Sequence, residues 1–525
     1  MNLPCTTESL LKRTTSRCPV CRATCPAEVW LVGGKEKRVM LRRTCAEHGR
    51  AEACIASDAR FYWLAQGDPR NQCCGGNACS ASDGEVRGTL GRNAAGAVSG
   101  FESQVSGSRS AASPETRNPK PETLSTCLAL IEIVNSCNLA CPTCYADSPT
   151  GALDAVPLAE LQQRIQGVID RKGRIEILQL SGGEPTLHPR FFELLAWLHA
   201  NPGIDYVLLN TNGVRLANDD AFLDSLGKTF RYGKFQLYLQ FDGVQEAAQR
   251  ALRGGDLRAL RKRAIERCGA LNIPITLAMT VTPENLPHLW ETVEFGLQFP
   301  HVRGVSFQPM FTSGRVAKGS AQSTRASAPS SLNTAHCALR TPHHPLNTAD
   351  VILSLVAQSA TRLRYEDFTP LPCGDPNCAT IGYLLKIGGQ TRSISDFVDF
   401  RQVQDFLRDK VRYSLDDLAR CGCESEPLGQ LLHEMETGMR NAERGVPGGG
   451  AAAKSEIRIE DRVGAEAGGS NPKSEIASHT FRLFIKPFMD AWTWDEDRID
   501  RCCTHVIRPD GKLDSFCRYY SIPRG

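Results

Sequence analysis

Between residues 128 and 308 the chain alternates short, almost wholly apolar runs with amphipathic stretches, and this alternation restricts the fold more than any other feature. The runs are 128–135, 175–181, 206–210, 235–242, 274–281 and 304–308. Their high content of Ile, Val, Leu and aromatic residues predicts strands buried on both faces of a parallel sheet. The stretches between them repeat at three- and four-residue steps. In 157–170, Leu158, Leu161, Ile165, Val168 and Ile169 make one apolar stripe behind a proline suited to a first helical turn. Stretches 189–200, 257–271 and 283–299 share that layout. Six β–α units in series predict a right-handed α/β arrangement, either an open doubly wound sheet or a partial barrel.

Charge and cysteine content bound the function. The 61 basic and 58 acidic residues leave a net charge of +3, which argues against a nucleic-acid partner. The chain holds 22 cysteines, and its first residues show no basic segment followed by an apolar one. Close cysteine pairs are therefore read as metal ligands, not disulfides. No window approaches the roughly 18 apolar residues of a membrane span. The expectation is a cytoplasmic enzyme without a transmembrane segment, for which peripheral membrane contact stays open.

Stretches 82–120, 316–334 and 445–477 are too poor in large apolar residues to offset their ordering entropy. They divide the chain into a cysteine-rich metal-binding region (1–81), a flexible insertion (82–120), an α/β core (121–313), a partly disordered insertion (314–349), a cysteine-bearing region (350–444), a disordered linker (445–477) and a C-terminal tail (478–525).

The first predicted strand runs straight into Cys137-Asn-Leu-Ala-Cys141-Pro-Thr-Cys144-Tyr145. A loop there lies at the C-terminal edge of the sheet, where α/β folds place their sites. Three thiolates can hold three irons of a four-iron cluster and leave the fourth open, as a catalytic site requires. Taken alone, the loop leaves open the alternative of a zinc site that borrows a fourth ligand. The second strand ends in Ser181-Gly182-Gly183-Glu184-Pro185, where paired glycines admit close backbone approach and Glu184 can accept from an ammonium group. Asn210 and Asn212 end the third strand; Asp242 ends the fourth and Arg253 follows, a pair able to take ribose hydroxyls and a carboxylate. Each is a common turn residue in its own right. Their recurrence at successive strand ends selects the catalytic reading.

With these motifs the chain resembles the radical SAM superfamily, through the Cys-x3-Cys-x2-Cys-aromatic loop of Cys137, Cys141, Cys144 and Tyr145 and the turn Gly182, Gly183, Glu184, Pro185. The resemblance implies a partial (β/α)6 TIM barrel and a [4Fe–4S] cluster whose open iron chelates S-adenosylmethionine. One electron, from a donor such as flavodoxin or ferredoxin, then yields methionine and a 5′-deoxyadenosyl radical that takes hydrogen from substrate. Tyr145 would pack near the adenine, and residues 182–184 would contact the methionine moiety.

The remaining cysteines fall into groups. Cys18 and Cys21 with Cys45 and His48 form a knuckle for one zinc or rubredoxin-like iron, with Cys25 an alternative ligand. Cys73, Cys74, Cys79 and Cys127 could hold a further cluster or be spare thiols. Cys373, Cys378, Cys421, Cys423, Cys502, Cys503 and Cys517 suffice for one or two auxiliary clusters. Cys268, on a predicted helix, reads as buried filler.

The whole layout resembles the archaeal tetraether lipid synthase group and its bacterial relatives, which implies carbon–carbon coupling of lipid chains. One relative in that group is linked to methylating a pterin precursor. The expected function is thus hydrogen abstraction from an unactivated C–H bond of a small-molecule or lipid substrate. Radical methylation or maturation of a pterin-like cofactor or a peptide is the alternative, and a non-catalytic iron–sulfur or zinc protein the third.

Overall fold

In the computed structural model of the chain the described residues are 7–33, 36–62, 126–316, 343–371, 374–387, 390–396 and 480–521. Cys73, Cys74, Cys79, Cys373, Cys421 and Cys423 lie outside them, as do most of the three stretches read as insertions.

Four antiparallel strands form an N-terminal ribbon: β1 (Thr7–Arg17), β2 (Thr24–Gly33), β3 (Lys37–Cys45) and β4 (Gly49–Ala56). Their inward positions, among them Val29, Val39 and Leu41, build a small core of their own. The six predicted strands follow as β5 (Leu128–Val134), β6 (Ile175–Gly182), β7 (Ile204–Thr211), β8 (Phe235–Gln240), β9 (Ile275–Val281) and β10 (Val302–Pro309), every neighbouring pair parallel. This is the α/β radical SAM-type barrel expected from the sequence.

The helices pack where their stripes direct them. In α1 (Leu158–Lys172) the five stripe residues are all buried. Then come α2 (Phe191–Ala200), α3 (Val214–Asn218), α4 (Asp220–Thr229), α5 (Glu246–Arg253), α6 (Arg258–Ala270) and α7 (Leu289–Leu297). Cys268 on α6 is fully buried, as its place on an apolar face predicts. A further helix, α8 (Thr348–Gln358), begins at an Asn347–Asp350 capping box, inside the stretch 314–349 read as an insertion.

The edges of the sheet depart from the expected six strands. β11 (Thr369–Pro370), β12 (Thr380–Ile387) and β13 (Gln390–Ser393) form an antiparallel patch, and β12 pairs with β14 (Thr480–Ile485). β14 in turn lies parallel to β10. At the opposite edge β15 (Thr504–Ile507) lies parallel to β5 and turns back into β16 (Leu513–Ser515). The tail thereby adds one parallel strand to each edge, giving eight in succession. Residues 486–503 join those two edge strands, and Lys486 Nζ donates to Thr504 Oγ1 at 3.2 Å across the join.

Candidate active site

The cysteine loop is fixed by backbone pairing at both ends. Cys137 N donates to Pro149 O at 2.8 Å, and Cys144 exchanges two hydrogen bonds with Arg315, at 2.8 and 2.9 Å. Arg315 Nε also donates to Cys141 O at 2.9 Å. Sequence reasoning missed Arg315 because it falls in a stretch read as an insertion. All three cysteines are half-buried and line one cavity. Burial pushes the Cys137 thiol up to about 11, a cost that coordination to iron would offset.

The two glycines of the second turn are required by crowding. A Cβ on Gly182, at φ +116°, would sit 2.1 Å from Val134 O, and one on Gly183 would sit 2.0 Å from Ser136 O. Their absence lets Gly183 N and Glu184 N donate to Val134 O and Ser136 O, at 2.7 and 3.1 Å. The turn is thereby clamped onto the strand that carries the cysteines, which places Gly182, Gly183 and Glu184 on the cavity wall. Pro185 opens a short 3-10 helix behind them.

Glu184 is 1% exposed and already well used. Its Oε1 accepts from Thr186 N, Thr186 Oγ1 and Thr211 Oγ1, and its Oε2 from Asn212 N at 2.8 Å. Burial nonetheless raises its carboxyl. The carboxylate ties the ends of β6 and β7 together, and the capacity left on Oε2 is what remains to meet an ammonium group. Asn212 Nδ2 reaches the cysteine loop, donating to Asn138 Oδ1 at 2.7 Å. Asn210 Nδ2 and Tyr145 OH both meet Ser181 Oγ, at 3.2 and 3.0 Å.

Asp242 corrects the expected ribose contact. It is fully buried at φ +62° and does not line the cavity. Its carboxylate is held by Arg253 through Nε at 2.6 Å and Nη2 at 2.9 Å, by Arg261 Nη1 at 3.2 Å, and by Gln240 Nε2 at 2.9 Å. Burial would raise this carboxyl, and the two guanidinium groups outweigh that, holding it well below the usual carboxylate range. Arg253 and Arg261 reach the cavity wall, so Asp242 acts by aiming them.

A second cavity continues inward from the first, sharing Tyr145, Asn210, Gln240, Gln308 and Phe311. Its wall is rich in carboxamides and hydroxyls: Gln179, Gln236, Tyr238, Ser306 and Gln308 stand beside Thr276. Tyr238 OH donates to Ser306 Oγ at 2.5 Å and accepts from Gln308 Nε2 at 2.8 Å. Leu128, Leu130, Ile177, Leu208, Ile381 and Phe484 supply the apolar part, Arg482 and Lys486 add cations, and no carboxylate contributes among the described residues. Cys127 and Cys503 line the same chamber.

Around that end four of the distal cysteines converge. Cys378, Cys502, Cys503 and Cys517 are all buried, and burial and the neighbouring Cys378 raise the thiols of the other three. Cys378 Sγ accepts from Arg498 Nη2 at 3.8 Å, Cys517 Sγ accepts from Met489 N at 3.3 Å, and Cys503 O accepts from Cys127 N and Leu128 N at 3.1 Å each. Cys127 itself is disulfide-bonded.

At the N-terminus, the ligand atoms of Cys18, Cys21, Cys45 and His48 all lie within 4.8 Å of one another. Cys45 Sγ is 3.7 Å from both Cys21 Sγ and His48 Nδ1, close to the ligand–ligand edge of about 3.8 Å expected for tetrahedral zinc with Zn–S bonds of about 2.3 Å. Despite burial, which opposes it, hydrogen bonds led by His48 hold the Cys45 thiol at about 6, so this donor set fits a mononuclear ion. Cys25 is buried beside the set without belonging to it.

A barrel that gathers three loop cysteines, a crowded Gly-Gly-Glu-Pro turn and a deep inner chamber has the layout of a radical SAM enzyme. Residues 131–296 match the radical SAM superfamily model, and residues 10–57 match that of the HMPTM N-terminal zinc ribbon domain. Over 98% of its length the chain is 23% identical to 7,8-dihydro-6-hydroxymethylpterin dimethyltransferase of Methanocaldococcus jannaschii, covering 94% of that protein. It is 31% identical to GTP 3',8-cyclase of Synechococcus elongatus over 31% of its own length and 50% of that enzyme's. Among solved structures, SuiB of Streptococcus suis bound to S-adenosylmethionine aligns with 37% of this chain and 43% of its own, at 16% identity and a TM-score of 0.31. None of these carries the name of a lipid synthase. No helix among the described residues is long and apolar enough to cross a membrane.

Proposed function

We propose that the chain is a radical SAM methylase acting on carbon of a reduced, pterin-like heterocycle. The observation that carries this reading is the chamber behind the S-adenosylmethionine cavity, whose wall of Gln179, Asn210, Gln236, Gln240, Gln308, Tyr238 and Ser306 offers donors and acceptors at many points. A fused heterocycle with lactam and amine edges can use the donor and acceptor capacity that these groups keep beyond their contacts with one another, whereas an alkyl chain would use none of it. The match to a pterin dimethyltransferase along nearly the whole chain supports the same substrate class.

The residues present fit the implied cofactors. Cys137, Cys141 and Cys144 would hold the [4Fe–4S] cluster, which when bound supplies the electron that cleaves S-adenosylmethionine; a flavodoxin or ferredoxin is the donor we expect. The protein's own part is to orient and to exclude water. Tyr145 would wall the adenine side, Glu184 fixes two turns and would offer Oε2, and Arg253, held on Asp242 through Nε and Nη2, would turn the rest of its guanidinium to a carboxylate. The convergence of Cys378, Cys502, Cys503 and Cys517 supports an auxiliary iron–sulfur site beside the chamber.

The apolar residues of the chamber wall are the one observation favouring lipid-chain coupling. Anaerobic turnover decides between the readings. With S-adenosylmethionine, dithionite, a one-carbon donor mixture from cell extract and 7,8-dihydro-6-hydroxymethylpterin, a pterin carrying an added methyl group is expected. Joined isoprenoid chains from a parallel lipid assay, with an unaltered pterin, would overturn this reading. Iron content tests the auxiliary site: about eight irons per chain are expected, falling to about four in the Cys502→Ser/Cys503→Ser variant.

A further inference from the structure

Residues 486–503 join the strands that the tail adds to opposite edges of the sheet, and the N-terminal ribbon grips this segment from outside. Arg43 on β3 is 1% exposed, and its two terminal nitrogens donate to Ala491 O and Trp492 O. Ser16 Oγ on β1 donates to Trp494 O at 2.6 Å, Thr14 Oγ1 donates to Asp495 Oδ1 at 2.8 Å, and Lys12 Nζ pairs with Asp495 Oδ2 at 2.7 Å. His343 packs tilted against Trp492, with ring centroids 4.4 Å apart. Ser16 and Arg43 each stand two residues before a ligand of the knuckle, Cys18 and Cys45. The strand ends that a metal would fix are therefore the ones that hold the segment.

The two cavities depend on this segment differently. Among the described residues the S-adenosylmethionine cavity is lined by positions between 137 and 313, whereas the inner chamber takes Lys486, Phe488, Cys503 and Thr504 from the segment and its end. We propose that Arg43 is a positioning residue that passes the rigidity of the metal-held ribbon to residues 486–503. The N-terminal metal thereby holds the chamber wall in place and reaches the S-adenosylmethionine cavity indirectly, where Phe488 and Asp490 meet Phe311 and Thr312. The turnover half of this claim rests on the chamber being the substrate site; the structural half does not.

The test uses full-length, metal-loaded protein in three forms: wild type, Arg43→Met, and the knuckle variant Cys21→Ser. Hydrogen–deuterium exchange of peptides covering 489–500 should accelerate by at least about tenfold in both variants, with peptides from β6 to β9 unchanged. Uncoupled release of 5′-deoxyadenosine from S-adenosylmethionine should stay within about twofold of wild type, because no residue of the segment lines that cavity, while the KM for 7,8-dihydro-6-hydroxymethylpterin rises about tenfold. Arg43→Lys, which keeps a charged donor, should fall between. If Arg43→Met does not fold, Ser16→Ala removes only the partner of Trp494 O and is read in the same way, expecting about threefold faster exchange. Unchanged exchange at 489–500, equal acceleration throughout the barrel, or a matching loss of 5′-deoxyadenosine would each overturn the proposal. If wild type does not turn over the pterin, the substrate reading fails and the exchange and cleavage arms still decide the role of Arg43.

Discussion

Tyr145, the residue after the third loop cysteine, meets Phe516, the residue before Cys517, with ring centroids 5.6 Å apart. Two cysteine groups about 370 positions apart in sequence are thus joined through aromatic packing. Phe516 also stacks on Phe488 at 4.1 Å and tilts against Tyr520 at 4.6 Å. Phe488 and Phe516 line the inner chamber, so the C-terminal tail is part of that chamber's wall.

Truncating that ring should be costly. Phe516→Ala removes a ring 5% exposed from the centre of this cluster, and a loss of about 3–5 kcal/mol is expected. Phe516→Leu, which keeps much of the volume, should lose clearly less. Urea unfolding of both variants checks the order, and an equal loss would mean that the aromatic packing contributes little.

Gly183→Ala is expected to abolish S-adenosylmethionine cleavage while leaving most of the fold. Its Cβ would meet backbone oxygen of Ser136, which cannot rotate aside as a side chain would. The turn must move away from the cysteine loop and take the cavity wall with it. Far-UV circular dichroism should match wild type while 5′-deoxyadenosine release disappears.

Asp242 sets a pH dependence. Its folded carboxyl is held below the unfolded value of about 3.9, so its contribution is fully present above that pH and is lost as pH falls further, toward the folded value. Asp242→Asn leaves Arg253 and Arg261 buried against a neutral amide, which should cost about 3–5 kcal/mol at pH 7. The gap between variant and wild type should narrow steadily below pH 4. A gap that stays constant down to pH 2 would contradict the ion-pair account.

The barrel was legible because its signals are local. Each of the six strands falls within a few residues of its apolar run, and the α1 stripe buries the five residues that its spacing named. The cysteine loop, the Gly-Gly turn and the knuckle were legible for the same reason, since their ligands or contacts are close in sequence. Other features depend on partners far away in the chain. That β14 joins β10 and β15 joins β5 follows from two unpaired sheet edges, and a six-residue run such as Thr480–Ile485 does not say which edge it completes. Asp242 looked like a ribose ligand because its type and turn position suit that task. Only the approach of Arg261 from α6, where an arginine occupies the buried stripe, shows its capacity already taken. Arg43 gave no signal at all, being one basic residue in a β3 run that also holds Arg38 and Arg42.

The cysteine loop is expected to hold a cluster that cleaves S-adenosylmethionine, and one assay tests this directly. Protein reconstituted anaerobically with iron and sulfide, then given dithionite and S-adenosylmethionine, should release 5′-deoxyadenosine and methionine, and Cys141→Ala should release neither. Wild-type protein with a full iron complement that forms no 5′-deoxyadenosine, or a Cys141→Ala variant that forms as much as wild type, would contradict it.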